Sequence, residues 1–475
     1  MSSIFNNKNN KNKCQHFTPL ELTNTMLDLV GYKTNLFGKT VLENSFGTGN
    51  ILKQIVIRYI KDLKQKNFSL SDIAKGLSND IFGVELDKTL YLSCIDELNK
   101  IVKDNNIPKV RWSLYNEDAL KKNYSKKFDY IIGNPPYIKY KDIDASNIKF
   151  IKKNFECCKK GKFDYCYAFV EKNINLLKET GKMVYLIPAS IYKNVFAVTL
   201  RDKLKEHISV ILEYPNKKIF GEKILTSSSI FLYESSVKSK NIIYINKTDN
   251  EKFKVSKNQL VDKWIFQKSN KNYIIKKNKK FGDIFNASMS VATLSNKVFI
   301  INNNDIEKYD IEKNLLLKAG APKTLKKDKK EFIIFPYYYK NKTLQHFKEI
   351  EFANEYPNTY RYLEKFKKIL KSRDLDKNAN WFEYGRSQAL SHIKQKKLLI
   401  SSVVTNKIIV YNLDRNTVPY AGIYITLKDQ NYELEYAKKI LQSSAFMQYV
   451  LEIGVNVTGK SKTITCKDIN NFELT

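Results

Sequence analysis

From about residue 40 to residue 235, short apolar runs alternate with longer stretches in which apolar positions return every three or four residues. The short runs are KTVLEN, IFGVEL, KFDYIIGN, KMVYLIPA, ISVILEY and SSIFLYE. Their concentration of Val, Ile, Leu, Phe and Tyr suits strands covered on both faces. Between them, GNILKQIVIRYIKDLKQ, KTLYLSCIDELNKIV and YCYAFVEKNINLLKET carry the helical period. This alternation predicts a parallel sheet with crossover helices, a doubly wound α/β domain.

Past SSVKSKNIIYINKTDNEKFKVSKNQ the rhythm breaks into Lys- and Asn-rich connections and shorter mixed elements. A boundary is expected near residue 245, dividing the chain into 1–245 and 246–475, the second part a mixed α+β domain. There aromatic and basic residues interleave, as in IIFPYYYKNKT and ANWFEYGRSQALSHIKQKK. Composition sharpens this picture. The chain has 82 Lys+Arg against 49 Asp+Glu, a net charge of +33, which points to a polyanion partner, nucleic acid first. An A·T-rich coding bias would also enrich Lys, Asn and Ile. The six cysteines form no CxxC pair and only four histidines are present, which argues against a structural zinc or a disulfide framework. No signal peptide and no run of about 18 apolar residues occurs, so no membrane association and a cytoplasmic location are expected.

The chemistry concentrates where the apolar runs end. In VLENSFGTGNIL a strand closes on Glu43, and Gly47 and Gly49 make the turn into a helix. Ligands of open α/β sheets sit at such carboxyl ends, and glycines let them approach the backbone. Glu43 would repel a pyrophosphate and favour a cationic ligand. In GVELD, Glu85 can accept from both hydroxyls of a ribose. In YNEDAL, Asp118 can accept from an adenine amine, with Ala119 and Leu120 packing beside the base. Each acid alone is commonly a cap or surface residue. Together, in this order, they describe a nucleoside with a positive amino-acid tail and no phosphates, which fits S-adenosylmethionine.

FDYIIGNPPYIKY follows a strand with a segment that offers acceptors and few donors. An adenine amine is a poor nucleophile because its lone pair is spread into the ring. The side-chain oxygen of Asn134 and the carbonyl of Pro135 can each take one amine hydrogen, with Pro135 and Pro136 holding them rigid. Tyr137 offers a flat face for the base. A base in a duplex must be flipped out to reach such a pocket. Phe220, in a basic loop before SSIFLYE, is the candidate for the opposite face.

With these residues the chain resembles the γ-class, TaqI-like DNA adenine-N6 methyltransferases of bacterial restriction–modification systems. The resemblance implies a Rossmann-like methyltransferase domain followed by a target-recognition domain. It also implies S-adenosylmethionine as cofactor and double-stranded DNA as substrate. It extends to HFTPLELTNTML, nominating Thr18 and Pro19, with Thr23 beside them, for the cofactor's methionine part. KFDYCYAFVE nominates Asp164 and Tyr165, and YGRSQAL nominates Arg386 and Gln388, as DNA contacts. The turn reads ENSFGTGN where a proline after the acid is common, a change expected to alter the turn and not the contacts. A monomer is expected, working with a restriction endonuclease of the same site. With the cofactor motif beginning by residue 16, no nuclease module is expected ahead of it. The alternatives are an RNA adenine methyltransferase, a protein glutamine methyltransferase, which poses the same lone-pair problem, and a non-catalytic DNA-reading subunit.

Overall fold

The structure is a computed structural model that describes residues 18–215, 227–267, 279–341, 343–387, 389–390, 393–457 and 461–474. The chain divides into two compact units, the first ending at Asn272 and the second beginning at Tyr273.

The first unit is built on a nine-stranded sheet. Its strands are β1 (Val41–Glu43), β2 (Ile81–Val84), β3 (Ser113–Tyr115), β4 (Phe128–Gly133), β5 (Leu177–Pro188), β6 (Ile208–Tyr214), β7 (Ser228–Glu234), β8 (Asn241–Asn246) and β9 (Glu251–Ser256). They lie in the order β3-β2-β1-β4-β5-β7-β6-β8-β9. From β3 to β5 every pairing is parallel, and β7 runs antiparallel between β5 and β6. The order reverses at β1, with β2 on one side and β4 on the other. Such a switch point opens a crevice at the strands' carboxyl ends.

Adjacent strand residues face opposite layers, and both layers are apolar. Leu42, Ile131 and Met183 belong to one buried cluster, while Val41, Ile132 and Val184 belong to the other. That explains why these strands read as unbroken apolar runs. Helices α1 (Leu20–Val30), α2 (Asn50–Gln65), α3 (Leu70–Asp80) and α4 (Lys88–Asp104) cover the second face. Helices α5 (Ala145–Asn154), α6 (Cys166–Leu176) and α7 (Val198–Lys205) cover the first. Local signals place several ends. Asp87 caps α4 by accepting from the Thr89 and Leu90 amides, and Gly31, at φ 78°, closes α1.

Two expectations are corrected. The helix read through LLKET stops at Leu176, and residues 177–181 enter β5, where the pairing with β4 shifts register between Phe128 and Tyr130. The boundary expected near 245 falls instead near 272, because NIIYIN and EKFKVS pair as the hairpin β8–β9 on the edge of the sheet. Ile242, Tyr244 and Val255 supply its buried side, while the interleaved Lys, Asn and Glu suit an exposed edge.

The second unit is mixed α+β. One four-stranded sheet orders Phe285–Met289, Ile423–Leu427, Lys397–Ile400 and Tyr411–Leu413. Another orders Ile300–Ile301, Glu331–Ile334, Leu316–Gly320 and Thr417–Pro419. Helices Leu434–Gln442 and Ser444–Ile453 pack into the apolar cluster of the first sheet. Among the described residues no helix is long and apolar enough to cross a membrane.

The later boundary has a measurable consequence. Trp264, 2% exposed, stacks on Tyr192 with ring centroids 5.9 Å apart, and its amide donates to the Tyr192 carbonyl at 2.7 Å. A fragment ending at residue 272 is expected to unfold in one cooperative urea transition. One ending at 245 loses β9 and this indole, and should be weaker by at least about 3 kcal/mol or insoluble.

Candidate active site

The site gathers at the carboxyl ends of β1, β2 and β4. Glu43 ends β1, and the chain turns through Gly47 at φ 55° and Gly49 at φ 77° into α2. At Gly49 a Cβ would stand 2.3 Å from Cys94 Sγ, so both conformation and space demand glycine. Glu85, just past β2, braces this turn. One carboxylate oxygen accepts from the Gly47 amide at 2.9 Å, and the other from the Asp87 amide at 2.8 Å. Each oxygen keeps a second lone pair, so a diol can still be met.

Glu43 is 2% exposed, and one of its oxygens has no hydrogen-bond partner among the described residues. Burial pushes its pKa well above the usual carboxylate range, and the nearby Glu85 pushes it further. The Leu52 amide, in the first turn of α2, works weakly the other way. Glu85 is also raised, by burial first, against the pull of the Asp87 and Gly47 amides. Two desolvated acids beside a glycine turn favour a cation.

Thr18 and Pro19 border the same site. The Thr18 hydroxyl accepts from the Asn134 amide nitrogen at 3.2 Å, and its carbonyl accepts from the Asn50 side chain at 3.1 Å. Pro19 precedes α1 in an extended conformation. Thr23 is fully buried and its hydroxyl donates to the Pro19 carbonyl at 3.1 Å, so it serves the start of the helix. Asp118 caps its own turn, accepting from the Leu120 amide at 3.0 Å and pairing with Lys121 at 3.2 Å. Ala119 and Leu120 are buried in the core under that turn.

Asn134 to Tyr137 leave the end of β4. Pro135 is buried, while Asn134, Pro136 and Tyr137 are half-buried. The Tyr137 hydroxyl is anchored inside, donating to the Leu186 carbonyl at 3.1 Å, and burial pushes its pKa far up. The ring is thereby fixed like a plate with a partly exposed face. Preceding it, Gly133 lets the Tyr185 ring lie 2.7 Å from where a Cβ would stand.

The sequence reading missed what ENS does. The Ser45 hydroxyl donates to the Asn134 carbonyl at 3.1 Å, tying the end of β1 to the end of β4. Asn44, 1% exposed, donates to the Asn173 side-chain oxygen and accepts from the Tyr124 hydroxyl at 3.2 Å. The departure from proline, expected to alter only the turn, builds a buried polar brace there. The signal was present: two polar residues directly after a strand whose other positions are apolar.

The expected DNA contacts fare differently. Tyr165 is 2% exposed and packs in the core, its amide donating to the Ile138 carbonyl at 2.9 Å. Asp164 bridges to Lys139 and is desolvated enough for burial to raise its pKa. Both hold the segment after Tyr137 in place, Tyr165 from within the core and Asp164 from a half-buried position. Arg386 is neutralised by Asp374 and by Asp376 at 3.5 Å, because its guanidinium folds back onto acids of its own unit. Phe220 and Gln388 lie outside the described residues. Among the described residues no cluster of His, Cys, Asp and Glu could hold a metal.

Comparison with known proteins gives the arrangement its context. Residues 33–220 match the Eco57I restriction-modification methylase family model. The type II methyltransferase M.BstVI of Geobacillus stearothermophilus is 22% identical over 96% of this chain and 89% of its own length. The type II restriction enzyme and methyltransferase RM.Eco57I of Escherichia coli is 24% identical over 67% of this chain and 37% of its own. The chain therefore spans well under half of that bifunctional relative. Two solved structures share the fold. The Type IIL restriction-modification enzyme MmeI, in complex with DNA, has a TM-score of 0.60 at 12% identity, over 95% of this chain and 64% of MmeI. The Type ISP restriction-modification enzyme LlaGI has a TM-score of 0.55 at 14% identity, over 92% of this chain and 43% of the LlaGI chain.

Methyltransferase relatives imply S-adenosylmethionine, and the residues present fit it. Glu43 supplies a buried carboxylate oxygen without a partner, and Gly47 and Gly49 leave room at the backbone. The raised pKa makes a test. Without cofactor, folded Glu43 keeps a proton that the unfolded chain releases at about pH 4.3. Stability from this group is therefore lost as pH rises from there through the raised value. Glu43→Gln is expected to flatten that dependence and to exceed the wild type at the alkaline end in urea unfolding. Calorimetry should show its S-adenosylmethionine heat abolished; wild-type binding would remove Glu43 from the site.

Proposed function

We propose that this chain, with an Eco57I-type restriction-modification methylase domain over residues 33–220, transfers a methyl group to the exocyclic N6 of adenine in a specific duplex DNA sequence. The observation that carries this reading is the rigid acceptor segment Asn134 to Tyr137 at the switch point, braced against the glycine turn through Ser45 and Thr18. The bound cofactor supplies an electrophilic methyl carbon on a sulfonium.

The chain's own residues do the rest. The target adenine is flipped from the duplex, and its ring stacks on Tyr137, with Phe220 proposed for the other face. Asn134 Oδ1 and the Pro135 carbonyl each accept one amine hydrogen. This draws the nitrogen lone pair out of conjugation and aims it. Because the acceptors are already fixed, little reorganisation is needed as charge develops. Neither is a base, so the surplus proton leaves to water after transfer. Glu85 takes the ribose hydroxyls, Glu43 the cationic side, and Asp118 the cofactor's adenine beside Ala119. The second unit supplies target recognition. The enzyme is proposed to act as a monomer, alongside an endonuclease reading the same site.

Sequencing of modified bases in DNA from cells expressing the protein should find N6-methyladenine confined to one sequence context. Methylation only of RNA or of a protein glutamine would overturn the reading. Asn134→Ala is expected to keep cofactor binding by calorimetry while losing at least about a hundredfold in single-turnover rate. Ser45→Ala, which frees the Asn134 carbonyl, should cost about five- to tenfold in kcat, one ordinary hydrogen bond, with KM for the cofactor little changed. Ser45→Thr should retain the rate.

A further inference from the structure

Of the residues that hold the segment after Tyr137 in place, Tyr165 is buried and Asp164 half-buried, but the turn on their N-terminal side is exposed. Lys159, Lys160, Gly161 and Lys162 form an exposed turn just ahead of Phe163, which is buried. That turn continues into Asp164 and Tyr165, which pair with Lys139 and Ile138, directly after the acceptor segment. Against it stands Phe196, 41% exposed, between Val195 at 48% and Val198 at 39%. Gly161 has φ 70°, and a Cβ there would lie 2.1 Å from the Phe196 ring, so the ring rests on the lysine turn. The Asn194 side chain accepts from the Phe196 amide at 3.0 Å and fixes the start of this short turn.

An exposed aromatic among apolar neighbours, bordered by cations, suits a partner that is both anionic and able to offer flat apolar faces. The acids near the turn do not quench it. Glu156 meets Lys159 only at 3.9 Å and is held more closely by Lys203 at 2.7 Å. Lys160 and Lys162 have no ion-pair partner among the described residues. Phosphates of DNA present closely spaced negative charge, and a strand from which one nucleotide has been extruded exposes the sugar and base face next to the gap.

We propose that Lys159, Lys160, Lys162 and Phe196 form a DNA-contact surface on the catalytic unit, with the lysines on phosphates flanking the extruded nucleotide and Phe196 on the adjoining sugar and base. This rests on the reading of the chain as a DNA methyltransferase.

The test uses the full chain, a short fluorescein-labelled duplex bearing the site found by modified-base sequencing, and anisotropy titrations over a range of salt. Replacing Lys159, Lys160 and Lys162 together by Gln should reduce the slope of log K against log salt by about two to three, near 0.9 per phosphate contact. Phe196→Ser should weaken binding about tenfold with an unchanged salt slope. In all variants the calorimetric affinity for S-adenosylmethionine should stay at the wild-type value. If the wild type binds and methylates the duplex while these variants keep its affinity and slope, this surface is refuted and the functional reading stands. If the wild type binds no duplex, both fall. If Phe196→Ser changes only the sedimentation coefficient, the patch covers a second copy of the chain and the inference is overturned.

Discussion

The hydrogen bond from the Ser45 hydroxyl to the Asn134 carbonyl joins the two strand ends between which the site is built. Strands β1 and β4 are neighbours in the sheet, yet their register covers only Val41 with Tyr130 and Leu42 with Ile131. Beyond that the ladder ends and the two chains diverge, one toward the glycine turn and the other toward the prolines. Without a cross-link there, each end could shift independently, because Pro135 and Pro136 have no amide to offer. Ser45 supplies the missing donor from the opposite side. Asn134 in turn donates to Thr18, so the segment before α1, the glycine turn and the acceptor segment become one unit. The neighbouring Asn44 is tied to Asn173 in a buried bond and to Tyr124 in a part-buried one. A buried polar group is expensive unless satisfied, and this cluster is a specific one that an apolar core would not impose.

The same crevice carries an electrostatic imbalance. Glu43 and Glu85 are both desolvated and repel each other, and only backbone amides offset them. A folded domain tolerates such a pair poorly without a proton or a cation. This is the reverse of a phosphate-binding turn, where the same glycines and helix start would present only positive dipole. The turn geometry therefore says that a ligand approaches the backbone, and the acids decide its sign. Tyr137 complements this by contributing no charge at all: its hydroxyl is buried against Leu186, which leaves a neutral, immobile ring face.

Much of this was legible because strong local constraints leave sequence traces. Strands buried on both faces had to be apolar throughout, and Ile131 and Ile132 fall in opposite layers for that reason. The turn needed glycine at 47 and 49, and the acceptor segment needed its prolines. What was not legible involved residues whose partners no local pattern marks. Asn44 finds Asn173, 129 positions away, and no local pattern marks that pairing. Tyr165 looked like a contact and is core, since its amide closes onto Ile138. Arg386 was nominated as a DNA contact, and its pairing with Asp374 and Asp376 was not foreseen. The β8–β9 hairpin hid under Lys and Asn because an edge needs only one apolar side.

A final constraint concerns selectivity. In the proposed reaction the acceptors recognise an amine with two hydrogens and Tyr137 recognises a flat ring. Every adenine offers both. A pocket of that kind can distinguish adenine from other bases but cannot distinguish one adenine in a genome from the next, so sequence choice has to be made before the base reaches it. That places discrimination in the groove contacts and in the work of extruding the nucleotide, not in chemistry at Asn134. Cations on the catalytic unit can hold phosphates but carry no sequence information directly. Under the proposed function, base reading would fall to side chains outside the crevice, and the chain has a second, separately packed unit of mixed sheets that could carry them. The two demands on the protein are opposed: the acceptor segment must be invariant in position, whereas a reading surface must be free to vary. Housing them in different cores lets one change without disturbing the other.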